Sequence, residues 1–113
     1  MIRASFTENL ETFEISVKVK GHAEQAEKGK DIVCASASIL ISTLAQIVTS
    51  LEGRLDGEPV IKYESGYAIV FCRCKNLVTF AKVLHAYNYT KVGYTLLAEE
   101  YPQYVEIVTD GEA

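Results

Sequence analysis

Apolar and polar positions alternate over residues 12–20, where Phe13, Ile15, Val17 and Val19 are interleaved with Glu14, Ser16, Lys18 and Lys20. A period of two belongs to a strand with one buried face. Residues 2–7 read as a preceding strand, Glu8-Asn9 as the turn between them, and Gly21 as the end of the second strand. Beyond Asp31 the period changes. Val33, Ala37, Leu40, Leu44, Ile47, Val48 and Leu51 recur at helical spacing, with Asp31 at the N-cap position and Gly53 as a stop. The pattern predicts an amphipathic helix over 32–51. Segments 59–64 and 67–74 predict a second hairpin around Ser65-Gly66. A second helix starts near Asn76, with Leu77, Phe80, Ala81, Leu84 and Tyr87 on one face. Gly93 and its β-branched neighbours weaken a continuation to Leu97, and Pro102 ends it. Residues 104–108 close the chain as a last strand. The order β-β-α-β-β-α-β predicts an α+β fold, a mostly antiparallel sheet with two helices packed against it.

The segment 21–30 lacks an apolar period and is bounded by Gly21 and Gly29, so it reads as a mobile connection. No linker, repeat or low-complexity stretch divides the 113 residues, which suit one domain spanning 1–113. At 49% hydrophobic and 23% charged the composition is that of an ordinary globular protein. A net charge of −4, with lysines scattered apart from Lys18 and Lys20, gives no basic face for nucleic acid. It suits attraction of a basic peptide. The stretch 39–48 is interrupted by Ser42, Thr43 and Gln46 and reads as too short and polar for a membrane span. The opening Met1-Ile2-Arg3-Ala4 does not read as an export signal, and the cysteines (Cys34, Cys72, Cys74) are odd in number. The expectation is reduced thiols in the cytoplasm.

Candidate chemistry gathers between residues 21 and 38. His22 follows a strand end, Cys34 falls in the first turn of a helix, and the small residues Ala35, Ser36, Ala37 and Ser38 come next. A helix start presents unpaired N–H groups and a partial positive charge, which favour a thiolate. An adjacent imidazole would take the thiol proton and return it to a leaving amine. Free N–H groups of the same turn are expected to hold the oxyanion. Small side chains leave room for a peptide backbone. Against this, a helical cysteine is most often a small core residue and a loop histidine most often solvated. Spacing alone leaves both readings open.

The segments Gly21-His22-Ala23 and Asp31-Ile32-Val33-Cys34-Ala35, with Ser38 downstream, resemble the signature of the ribosomal-processing cysteine protease family, Prp. Chain length, element order, the Gly66-Tyr67 hairpin and the ending Glu99-Glu100-Tyr101-Pro102 extend the resemblance over nearly the whole chain. It implies a homodimeric cysteine endopeptidase of Firmicutes and related bacteria. Such an enzyme removes a short N-terminal extension from large-subunit ribosomal protein twenty-seven, without a metal or cofactor. It implies Cys34 as nucleophile and His22 as base, with Asp31 capping the helix and helping to orient the site, and Ser38 lining it. Gly21 and Ala35 belong to the same motif as supporting positions. The family often has Ala-Ala-Val-Ser after the nucleophile where this chain has Ala35-Ser36-Ala37-Ser38, which bears on substrate preference. The competing functions are a non-catalytic ribosome-associated binding or assembly module, with Cys34 a passive core thiol, and a thiol-redox protein. No Cys-x-x-Cys supports the latter.

Other residues take structural readings. Cys72 and Cys74 point the same way from one strand and read as core thiols, because two cysteines fall short of a zinc ligand set. His85 reads as a solvated or partly packed helix residue. Tyr87, Tyr89 and Tyr94 read as the amphipathic side of a core, with a dimer face as the alternative. Glu24 and Glu27 read as a solvated acidic loop that could also meet basic substrate residues.

Overall fold

A computed structural model of the chain describes residues 1–23 and 31–109. The expectations about a mobile connection over 24–30 and about Glu24 and Glu27 lie outside the described residues. Strands β1 (Ile2–Asn9) and β2 (Glu14–Lys20) form the first hairpin, followed by helix α1 (Ile32–Ser50). A short 3-10 turn, Glu52–Arg54, leads to the second hairpin, β3 (Val60–Glu64) and β4 (Tyr67–Arg73). Helix α2 (Leu77–Glu100) and strand β5 (Val105–Ile107) complete the α+β fold in the expected order. The five strands lie in the order β3-β4-β2-β1-β5. All pairs are antiparallel except β1 with β5, which is parallel.

Register explains which strand residues are buried. Val19 pairs with Ala4 on one side and Ala68 on the other, and Val17 with Phe6 and Val70. These residues share one face with Ile2, Ile15, Cys72 and Val105, and the helices cover that face. Residue alternation therefore settled the inward face of β2 as expected. The first turn differs from expectation: β1 runs through Asn9, and Asn9 Oδ1 accepts from the N–H groups of Glu11 and Thr12. Phe13 then takes a φ of 59° and tilts its ring onto Phe80, 5.4 Å between centroids. A tertiary aromatic contact thus holds a backbone conformation that the local sequence does not favour.

In α1 the buried stripe is Val33, Ala37, Ile41, Leu44, Ala45 and Val48. Ile47, expected inside, is 37% exposed, and Ala45 occupies the inward position. By length and composition the whole of α1 is apolar enough to match a membrane span, contrary to the reading of 39–48 alone. Its inward stripe packs on the sheet and α2, while Ile32 and Ile39 on its outer side are exposed.

Helix α2 continues through Gly93 to Glu100. The reason is close approach: a Cβ on Gly93 would come within 2.5 Å of Leu40 Cδ2. The lost helix propensity is offset by helix–helix packing. One residue on, the buried Tyr94 hydroxyl donates to the Ala37 carbonyl, tying α2 to the turn of α1 that follows Cys34. The buried face of α2 is Thr79, Phe80, Val83, Ala86, Tyr87, Thr90 and Tyr94, so the expected face was rotated. Leu77 is 65% exposed and Ala81 also faces out. Tyr87 and Tyr94 are core residues, as expected, whereas Tyr89 is exposed.

Candidate active site

The site lies where the end of β2, the start of α1 and the β3–β4 turn meet. Gly21 leaves β2 with a φ of +97°, and a Cβ there would lie 2.1 Å from the Met1 carbonyl oxygen. Glycine is required by both the left-handed conformation and the space. Its N–H donates to the Gly66 carbonyl at 2.8 Å, so the second hairpin turn is fastened to the strand end. The next residue, His22, is exposed, and the Met1 nitrogen donates to its carbonyl oxygen at 2.6 Å. The imidazole lies against Gly66, where a Cβ would fall 2.8 Å from Nε2.

Cys34 is half-buried in the first turn of α1. Asp31 caps this helix from an extended conformation, its Oδ1 accepting from Val33 N–H at 3.0 Å and Cys34 N–H at 2.9 Å. The Ala35 N–H donates to the Asp31 carbonyl at 3.0 Å. The cap role of Asp31 is as expected. The expectation of free first-turn amides is narrowed, because the N–H groups of Val33, Cys34 and Ala35 are bonded to Asp31, whereas no bond is seen for that of Ile32 among the described residues. The Cys34 Sγ instead accepts from the Ala23 N–H at 3.4 Å.

His22 and Cys34 line one open cleft of about 210 Å³. Its base is apolar, formed by Ile2, Val19, Ala37, Ile41 and Ala68. Ser38 and Ser42, one and two turns after Cys34, continue the same flank of α1 into the cleft. The opposite rim is Tyr63, Glu64 and Tyr67 from the second hairpin, with Lys20 Nζ 5.9 Å above the Tyr67 ring. Among the described lining residues Glu64 is the one carboxylate, and no lysine or arginine is present. Gly21 and Ser38, expected as supporting positions, are therefore in the lining, whereas Ala35 is exposed and outside it. Among the described residues no hydrogen bond joins the imidazole to Sγ. The two groups share a solvent-open cleft.

Tyr63 and Glu64 were not singled out from sequence, and Gly66, Tyr67 and Ala23 were named only as parts of the resemblance, without a place in the site. The serine at Ser42, eight residues after Cys34, was a legible signal of a polar stripe beside the core stripe. The hairpin residues carried none, because only the crossing from β2 to β4 brings them to His22. The remaining titratable candidates lie elsewhere. Cys72 and Cys74 are core thiols, and burial pushes both up, Cys72 to about 12. His85 is exposed on α2, its ring centroid 6.4 Å from that of Tyr89.

A half-buried thiol at a capped helix start, sharing a cleft with an imidazole, is the pair of groups that a cysteine peptidase requires. The family model described as cysteine protease Prp matches residues 1–106, and the chain belongs to that family. No curated protein matches it. Among solved structures the chain is similar to the essential ribosomal processing protease Prp of S. aureus in complex with a covalently linked product peptide. The TM-score is 0.71 and identity 26%, over 97% of this chain and 100% of that one. The same S. aureus protease with a substrate peptide gives a TM-score of 0.65 at 25% identity, covering 97% and 100%. SMU.848 from Streptococcus mutans matches with a TM-score of 0.65 and 30% identity, over 96% of this chain and 93% of that one.

Proposed function

We propose that this cysteine protease uses Cys34 as nucleophile and His22 as general base to remove the N-terminal extension of large-subunit ribosomal protein twenty-seven. The observation that carries the reading is the convergence of the two side chains on one cleft, from a strand end and a helix start. A peptide linked covalently to the related S. aureus protease is consistent with a nucleophilic route. In that route His22 accepts the Cys34 proton, and Sγ attacks the scissile carbonyl carbon. The S–C bond forms as the C=O π pair moves to oxygen. The intermediate collapses, the C–N bond breaks, and the imidazolium protonates the leaving amine. Water then hydrolyses the thioester, releasing the acid and regenerating the thiol. The apolar base suits an apolar substrate side chain, and Glu64 suits a basic one.

The chain is further proposed to act in the cytoplasm as a homodimer, which sedimentation at micromolar concentration tests. Function is tested by a peptide spanning the extension, incubated with wild type, Cys34→Ala and His22→Ala, with products read by mass spectrometry. One specific cut lost in both variants is expected. Tight binding without a cut by the wild type would transfer the protein to the binding-module reading.

A further inference from the structure

We propose that the backbone N–H of Ala23 is the donor that holds the oxyanion during attack by Cys34. The inference rests on the reading of Cys34 as nucleophile. Two independent observations lead to it. Of the amides at the helix start, three are already engaged: those of Val33 and Cys34 by Asp31 Oδ1, and that of Ala35 by the Asp31 carbonyl, which leaves that of Ile32 as the rival donor. Recruiting those three would mean breaking the cap of α1. The Ala23 N–H, by contrast, points at Sγ from 3.4 Å. The oxygen of an attacked carbonyl is two bonds from Sγ. A donor aimed at Sγ is therefore within hydrogen-bonding reach of that oxygen, at the place where charge develops.

The aim of this N–H is built in. A trans peptide is planar, so its C=O and N–H point in opposite directions. The unit joining His22 to Ala23 is gripped from behind, its carbonyl accepting from the Met1 nitrogen at 2.6 Å. With the oxygen held there, the N–H is turned toward Sγ. Ala23 itself is 3% exposed, which anchors the unit from its other end. The base and the oxyanion donor thus come from adjacent positions of one segment. The same residue that supplies the imidazole fixes the plane of the donor.

The test removes the N–H alone. Lactic acid incorporated at position 23 keeps the methyl group and replaces the N–H with an ester oxygen. Two reactions of Cys34 are then compared: cleavage of the extension peptide, and alkylation by iodoacetamide, which forms no oxyanion. Expected is a loss of roughly 100- to 1000-fold in kcat with alkylation within about threefold of wild type. Equal losses in both reactions would assign the N–H to the thiolate alone and overturn the proposal, as would unchanged cleavage. A second measurement needs no altered backbone. An aldehyde made from the part of the extension peptide before the cut forms a thiohemiacetal, and the 15N-labelled Ala23 amide proton should move downfield in the adduct. An unmoved Ala23 signal, or movement at Ile32 instead, overturns the assignment. If neither iodoacetamide nor the aldehyde modifies Cys34 in the wild type, the nucleophile reading has failed instead.

Discussion

Replacing Gly66 with alanine adds one methyl group at the point where the imidazole of His22 rests. Two costs follow, and the structure separates them. The first is backbone strain. Gly66 has a φ of +75°, and an L-residue in the left-handed region costs about 1–2 kcal/mol. The second is displacement. The new Cβ would lie 2.8 Å from Nε2 and 3.3 Å from Cδ2, where ordinary contact begins at 3.4 Å. The ring must retreat by roughly 0.6 Å, or the β3–β4 turn must move away from it. His22 is exposed, so the ring can swing at little cost in stability. Its position relative to Cys34 changes, and a misplacement approaching 1 Å costs up to about 100-fold in rate.

Gly57 provides the control. Its φ is +83°, close to that of Gly66, but a Cβ there meets nothing within 4 Å. Gly57→Ala therefore carries the strain without the displacement. Urea melts of the two variants should show similar destabilisation, about 1–2 kcal/mol each. Cleavage of the extension peptide should then separate them. Gly66→Ala loses about 10- to 100-fold in kcat/KM, and Gly57→Ala stays within about twofold of wild type. If the two alanine variants cleave equally well, the imidazole is not seated by Gly66 and the reasoning is refuted.

Other perturbations have definite expected outcomes. Asp31→Ala removes the α1 cap and should cost about 0.5–2 kcal/mol in a urea melt, while kcat falls less than about tenfold. A loss near 10,000-fold would instead make Asp31 the carboxylate that orients the base. Glu64→Gln should raise KM up to about fivefold for a peptide carrying a lysine, with kcat unchanged, and should have no effect when that lysine is replaced by norleucine. At alkaline pH the fold should weaken. Burial pushes the Cys72 thiol and the Tyr87 hydroxyl up to about 12 and raises Tyr94 further, so the native state keeps protons that the unfolded chain releases. Their contribution is full below about pH 8.5 and is lost as pH rises through about 10 toward 12. The Tm should fall across that window, and a constant Tm from pH 8 to 11 would refute the linkage.

Strand alternation was the most legible feature of the sequence. The apolar set of β2 was assigned to the correct face because a period-two pattern admits only one inward choice. Asp31 and Cys34 were legible as cap and first-turn residue because capping is local chemistry. What local chemistry does not determine was lost. The face of α2 was misplaced because Thr79, Thr90 and Tyr94 are buried beside apolar residues, which blurs the apolar stripe. The Tyr94 hydroxyl finds its acceptor on α1, 57 residues away. Gly93 argued for a helix end and instead marks a helix crossing, since propensity is blind to a partner such as Leu40. That Tyr63, Glu64 and Tyr67 of the second hairpin rim the cleft was invisible for the same reason.

The start of α1 faces two demands on the same amides. A helix needs its first N–H groups bonded for stability, and a nucleophile at that position gains from N–H groups left open for an oxyanion. Asp31 resolves the conflict toward stability by binding two of them through Oδ1 and a third through its carbonyl. The proposed donor then arrives from another element. The sheet supplies one, because β2 ends beside the helix start, and Gly21 turns the chain so that His22 and Ala23 pass over Cys34. That turn is possible only with no side chain at Gly21, 2.1 Å from the Met1 carbonyl, and is fastened by the hydrogen bond to Gly66. On the proposed mechanism the consecutive residues Gly21, His22 and Ala23 have three distinct tasks in one arrangement: turn, base and donor. A substitution that alters the turn is therefore expected to disturb the other two together.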